Sequence, residues 1–329
     1  MKKIIVLCMA LVVLCACTLQ KDYEKDLSQY YFSGFSYSYV DEKQFFAENY
    51  IYDFSKGKMT TNNKYSIKVE KPECAVGAYD SYENTILYSS QDKDNHDYLY
   101  IYDIESKKST QLTNQLWGIH AIIPRENDYI VVGVKDGIDE LSLWSVDKKT
   151  HEEKQIKITD PRHEREDMYV WQIAYVPQTD GIIIQAVSDS EEHELIEKSG
   201  KSEEEEENID VNIPCIHYYY HDGQLDYLFT EEMPKSLAIV SNGKKVLVEA
   251  LSDANGINEI QYDIESQEKE EVKTICELTK ALYLDDNGEY LYKFESQLVR
   301  IKIANGETET LDYDLKYLKN YDNFMLVKK

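Results

Sequence analysis

The sequence predicts an all-β fold, a β-propeller of four-stranded antiparallel blades, on three observations. From Phe32 onward, short segments rich in tyrosine, isoleucine and valine alternate with turn clusters of Asp, Asn, Gly, Ser and Lys, the pattern of many short antiparallel strands. One strand–turn–strand phrase recurs at a blade-like spacing, and a second apolar strand pair precedes most of its copies. Two hairpins per repeat make a blade, and a ring of blades protects the sheet edges.

The clearest copies are residues 98–108, YLYIYDIESKK, and 259–269, EIQYDIESQEK, which share YDIES outright. Weaker copies stand at 49–58, 141–149, 217–225 and 298–307, and the complementary strand pair at 121–134, 174–187, 237–248, 281–294 and 316–327. Taking Asp53, Asp103, Ser145, Tyr220, Asp263 and Lys302 as equivalent points gives steps of 50, 42, 75, 43 and 39 residues. Blade repeats run about 40 to 50 residues, so four of the five steps fit. The long step is expected to hold an acidic insertion at about 190–210, a solvated loop inside one blade, because that stretch carries ten acidic residues and two lysines. The pair at 316–327 has no copy after it, and the copy near Asp53 lacks a full hairpin before it. Strands from both termini are therefore expected to share one composite blade, closing a ring of six, with seven as the alternative.

A strand ending in a YDI-type phrase, a polar turn and a QLT-like tail resembles the WD40-like repeats of TolB-like six-bladed propellers. The tail stands at Gln111, Leu112 and Thr113, and again at Glu277, Leu278 and Thr279. The family's Ser-Pro-Asp-Gly turn survives only as traces at 177–181 and 285–288. The resemblance implies six blades around a rigid axis, with loops carrying the function.

The chain opens with Met1, Lys2 and Lys3, an uncharged run of 13 residues from Ile4 to Ala16, and then a polar segment. That is the layout of a secretory signal, and the run falls short of the roughly 20 residues a membrane span needs. Its end, Leu14, Cys15, Ala16 and Cys17, resembles the bacterial lipobox. Only a small side chain fits just before the cut, which selects Cys17 over Cys15, since Leu14 precedes the latter. The resemblance implies a lipoprotein, with a signal peptide over 1–16 and lipid attachment at Cys17. A lipidated tether over 17–30, long enough to hold the domain off the bilayer, and one propeller domain over 31–329 complete the expected organisation. Two or more acyl chains would exceed the single chain that anchors only marginally.

The formal charge is -26, a surface that repels nucleic acid, so no nucleic-acid partner is expected. Cys74, Cys215 and Cys276 are odd in number and far apart, which indicates neither a disulfide framework nor a zinc site, and they read as buried thiols.

Candidate chemistry is sparse. His217 and His221 lie four apart on a strand, about 13 Å by strand rise, too far to share a metal, and read as surface imidazoles. Asp92, Asp94, Asn95 and Asp97 lack the glycine and closing glutamate of a calcium loop and read as a hairpin tip. His163 with Arg162 and Arg165 forms a charged loop of the kind that lines a channel mouth. Trp117, Trp144 and Trp171 sit in or beside strands and read as blade packing. The run 203–207 reads as solvated charge. A Gly-x-Ser-x-Gly elbow, a glycine-rich phosphate loop and a dinucleotide fingerprint are all missing, so catalytic residues stay unknown and no cofactor or metal is expected.

The expected function is therefore a non-catalytic binding or scaffold module, anchored to a membrane by lipid on Cys17. It would sit on the extracytoplasmic face, at the outer surface or in the periplasm, and engage a protein or an envelope or extracellular ligand. The alternatives are a propeller enzyme, a polysaccharide lyase or hydrolase with its site in the channel, and an envelope sensor or assembly subunit.

Overall fold

The computed structural model describes residues 22–41, 44–56, 64–70, 74, 76–135, 137–163, 166–199, 211–252, 256–272, 278, 281–313, 315, 318, 321 and 323–329. Among these, 24 strands form six four-stranded antiparallel sheets, a six-bladed β-propeller. Blade 1 holds β1 (Tyr30–Asp41), β2 (Gln44–Asp53) and β3 (Lys64–Val69) with the last strand, β24 (Asn323–Lys328), on its inner edge. Blade 2 is β4 (Gly77–Asp80), β5 (Thr85–Gln91), β6 (Asp97–Asp103) and β7 (Lys108–Gln111). Blade 3 is β8 (Leu116–Pro124), β9 (Asp128–Lys135), β10 (Ile138–Asp147) and β11 (Glu153–Ile156). Blade 4 is β12 (Met168–Val176), β13 (Gly181–Ser188), β14 (Ile213–His221) and β15 (Gln224–Met233). Blade 5 is β16 (Ala238–Ser241), β17 (Lys245–Ser252), β18 (Gly256–Asp263) and β19 (Lys269–Val272). Blade 6 is β20 (Ala281–Leu284), β21 (Tyr290–Phe294), β22 (Leu298–Lys302) and β23 (Thr308–Thr310).

The recurring YDIES phrase has a physical cause. Its aspartate ends the third strand, and its side chain accepts from backbone N–H groups of the next turn: Asp103 from Ser106, Asp147 from Thr150, Asp263 from Ser266. Four residues after each of these, the chain turns left-handed, at Lys107 (φ 56°), His151 (φ 58°) and Gln267 (φ 60°). Gly306 (φ 70°) occupies the equivalent place in blade 6, where the backbone tolerates that conformation without a Cβ penalty. In each turn the left-handed residue's N–H donates to the carbonyl four positions back, at 2.8 to 2.9 Å.

The ring closes with three strands from the N-terminal side and one from the C-terminal side. Of the strand pair expected at 316–327, the described residues form one strand, β24, and residues 30–41 supply the second strand of the blade. Pairing runs from Tyr30 with Lys328 to Phe35 with Asn323. Phe32, wholly buried, packs on Phe294 and Phe324 and draws this segment into the core. Of the segment expected as a tether over 17–30, residues 22–30 are described. Asp22–Ser28 forms a short helix, α1, whose Tyr23 and Leu27 are buried in the cluster joining blades 1 and 6. Those two side chains, four apart on one helix face, explain why it packs instead of extending.

The acidic insertion falls between β13 and β14, but its first half is a helix, α2 (Asp189–Ser199), rather than a loop. Asp167 accepts from the Ser190 N–H at 2.9 Å and Ser188 Oγ from the Glu191 N–H at 3.3 Å, capping orphan donors at the start of the helix. Asp189, Glu191 and Glu192 in its first turn suit the positive end of the helix dipole. The run 203–207 lies outside the described residues.

Candidate functional site: the axial cavity and its open mouth

Each blade's inner strand is hydrogen-bonded on one side only, so six strand edges, β24, β4, β8, β12, β16 and β20, surround the axis. They enclose a cavity of about 380 Å³. Most of its lining residues are apolar, Ile123, Ile173 and Leu282 among them, yet more of the surface it presents is polar than apolar, and His120, Gln172 and Asn323 are among its polar residues.

One mouth is knit shut by the turns linking inner strands to their neighbours. Gln178 Nε2 donates to the Leu284 carbonyl at 2.7 Å, from blade 4 to blade 6, and Asn242 Nδ2 to the Asp285 carbonyl at 2.7 Å. Asp180 accepts from the Glu126 N–H at 3.2 Å and from the Tyr175 hydroxyl at 2.9 Å. Burial pushes the Asp180 carboxyl above its ordinary range, against these hydrogen bonds. The start of β1 and the C-terminal residue lie on this closed face: the Lys329 N–H donates to the Gln29 carbonyl, and Ser81, in the β4–β5 turn, donates to the Lys328 carbonyl.

Among the described residues the opposite mouth is open, and it is chemically richer. A bulge in β8 between Trp117 and Ala121, with Gly118 at φ 55°, interrupts the ladder, and within it His120 stands exposed on the cavity rim. Its Nε2 lies 3.7 Å from Cys74 Sγ. The Cys74 backbone is fixed, its N–H on the buried Asp97 at 2.9 Å and its carbonyl accepting from Ser89 Oγ at 2.6 Å. In β12 a second bulge sets Trp171 out of register at 39% exposure. Its indole N–H donates to the Ser236 carbonyl at 2.9 Å, and the Lys235 ammonium sits 4.2 Å from the ring centroid. Lys235 also pairs with Glu192 of α2 at 2.7 Å, and Glu192 accepts from the Tyr169 hydroxyl. Burial, then the Glu192 charge, push the Tyr169 phenol well up. The insertion helix is thus tied to the rim by buried polar contacts.

Behind the rim, Gln172 is linked through the Ser236 hydroxyl to Gln185, at 2.7 and 2.9 Å. Gln185 Oε1 accepts from Ser236, so its amide nitrogen donates to His217 Nε2 at 2.8 Å. That orientation makes Nε2 of His217 an acceptor on a neutral ring. Burial lowers the His217 pKa to about 3, consistent with that state.

Several residues singled out in the sequence land elsewhere than expected. His217 is fully buried and stacked on Phe229 rather than on a blade surface, while His221, half-buried, bonds Asp226 at 2.9 Å. Cys215 is a buried thiol donating to the Met233 carbonyl, and burial pushes it well up; Cys74 is only half-buried, at the open mouth. Asp92 spends its carboxylate on the N–H groups of Asp94 and His96, in a hairpin tip as expected. Arg162 bonds Asp160 and Glu191, bracing α2, and His163 stands exposed beside it. Trp144 is buried in its blade, Trp117 packs on His96, and only Trp171 of the three is more than a third exposed. Cys17, Cys276 and Arg165 lie outside the described residues. His120, Gln172 and Asn323 were missed. The signal for the first two was the pair of bulges beside them, which becomes visible only once the strand pairing is known.

Among the described residues, fold and cavity together define a six-bladed β-propeller with an axial cavity open at the face opposite Tyr30 and Lys329. No family model matches the chain, and no curated protein matches it. Solved structures similar to it include TolB from Acinetobacter baumannii, at 11% identity over 92% of this chain and 68% of that one, with a TM-score of 0.47. The β-propeller domain of the Trilobed protease from Pyrococcus furiosus aligns at 14% identity over 85% and 81%, with a TM-score of 0.48. An oligogalacturonate lyase in complex with manganese aligns at 11% identity over 85% and 78%, with a TM-score of 0.49. Identities this low speak to fold alone, and the sheet topology carries that assignment by itself.

Proposed function

We propose that this chain is a lipid-anchored, extracytoplasmic binding module that engages a protein or an envelope ligand through the open mouth of its axial cavity. The observation that carries the reading is the cavity itself. A cavity of about 380 Å³ that mixes apolar side chains with polar groups, His120 and Gln172 among its lining residues and Trp171 exposed next to Gln172 in the chain, has the size of a ligand site. The signal-like first 16 residues and the lipobox-like Leu14–Cys17 support export and attachment at Cys17. Among the described residues no helix is long and apolar enough to cross a membrane. A photoreactive amino acid at Trp171, introduced in living cells, is expected to give one discrete adduct; the same group at Glu83, on the closed face, is expected to give none. An adduct only from Glu83 would contradict the reading.

A second reading, an enzyme acting at the same mouth, rests on the Cys74–His120 contact, since a thiol beside an imidazole is a recognised nucleophile arrangement. It requires turnover by the purified domain that Cys74→Ser abolishes.

A further inference from the structure

We infer that the axial cavity takes an uncharged, hydroxyl-rich ligand, the end of a neutral saccharide, with Gln172 as a fixed donor to it. The inference rests on the open mouth as the binding site and adds the chemistry of what enters it. The six inner strands pair on one side only, so alternate residues of each turn their N–H and C=O groups away from their own blade and toward the axis. These strand edges account for a wall of mostly apolar residues that presents more polar than apolar surface. Its polarity is not that of charged side chains. Asp, Glu, Lys and Arg make up 30% of the chain, yet among the described residues none of them lines the cavity.

The Gln172 amide is held in one orientation. Its Oε1 accepts from Ser236 Oγ at 2.7 Å, and its Nε2 donates to the Leu237 carbonyl at 3.3 Å. A flipped amide would set two carbonyl oxygens against each other at Leu237. Ser236 is held in turn by Gln185, and Gln185 by His217, all three buried. Nε2 keeps a second hydrogen, so Gln172, on the cavity wall, meets a ligand as a donor. A hydrocarbon chain would cover the strand edges without giving their polar groups partners, and a charged group would enter a cavity with no described side chain of opposite sign to compensate it. The net charge of -26 further opposes anions. An extended peptide satisfies one strand edge along its length, whereas six edges surround this axis. A sugar ring carries hydroxyls around its perimeter, each both donor and acceptor, and C–H faces that suit Ile123, Ile173 and Leu282. At about 380 Å³ the cavity lies toward the small end of ligand sites, which fits the end of a glycan rather than a long segment.

The test applies the full chain to an array of immobilised neutral glycans, uronic-acid glycans and uncharged peptides, and titrates the best neutral glycan by calorimetry. A neutral glycan is expected to bind at least about tenfold more tightly than its uronic-acid counterpart, which would bury an uncompensated charge. Gln172→Glu, which exchanges the donor for a carboxylate, is expected to weaken that binding at least about tenfold. Asn323→Asp, on the blade 1 side of the cavity, is expected to do the same, and thermal melts identify which variant keeps the parent fold. Binding to none of the neutral glycans, tighter binding to a uronic-acid glycan or a peptide, or neutral-glycan binding that both substitutions leave unchanged would overturn the inference. The Trp171 cross-link separates the two claims: a discrete adduct from Trp171 alongside any of those results keeps the mouth as a binding site and removes only the saccharide.

Discussion

Lys148 of blade 3 reaches Asp80 of blade 2, Nζ to Oδ2 at 2.6 Å, with both side chains almost wholly buried and the rings of Tyr82 and Tyr129 5.0 and 4.9 Å from the ammonium. A buried pair of this kind adds little against an apolar replacement, but removing one partner strands the other charge. Lys148→Met is therefore expected to cost about 3 to 5 kcal/mol. Adding Asp80→Asn to it should recover part of that loss. Urea unfolding of the two single variants and the double variant measures the coupling.

The turn after each third strand makes a second prediction. Lys107, His151 and Gln267 hold left-handed backbone that Gly306 holds without strain. Lys107→Gly is expected to stabilise by a few tenths to about 1 kcal/mol, and Gly306→Lys to destabilise by a similar amount. Thermal melts of both variants decide this, and stabilisation by Gly306→Lys would contradict the turn geometry.

These turns explain why the blades were legible in the sequence. Asp103, Asp147 and Asp263 cap the same turn in three blades, so physics preserved a local phrase with a fixed spacing. The site left no such mark. His120, Gln172 and Asn323 come from segments 52 and 151 residues apart, brought together by ring closure. The packing of α1 was hidden for a related reason: DYEKDLS reads as polar, and its two buried residues matter only once Phe54, Leu298 and Leu311 surround them. Only Trp171 stood out in the text, and its indole reads as blade packing until the bulge between Val170 and Gln172 is seen.

His217 predicts a pH dependence. Its folded pKa, lowered to about 3 by burial, lies below its ordinary 6.5, so below pH 6.5 the unfolded chain binds a proton that the folded one does not. The stability this neutral ring contributes is full above pH 6.5 and is lost as pH falls toward 3, at about 1.4 kcal/mol per pH unit well inside that window. His217→Gln is expected to be less stable at pH 7 and to lose less on acidification to pH 4. Urea midpoints across that range would show it.

The terminal clasp titrates lower. Burial alone would raise the Asp53 pKa, but hydrogen bonds from Lys329 and Ser55 outweigh it and hold it at about 2, against an ordinary 3.8. Its contribution is present above pH 3.8 and is lost as pH falls toward 2. Lys329→Met is expected to cost about 1 to 2 kcal/mol near pH 7, less than a deeply buried pair because the lysine is partly exposed. Acid denaturation should then begin at higher pH in the variant than in the parent chain.

The central claim is that the open mouth is where this propeller meets its ligand, and hydrogen exchange tests it most directly. Backbone exchange is compared between the protein in extracts of the cells that make it and the purified domain. The account predicts added protection confined to residues 117–120, 171–172 and 235–237 at the open mouth. Protection at the closed-face turns alone, or identical exchange in both states, would contradict it.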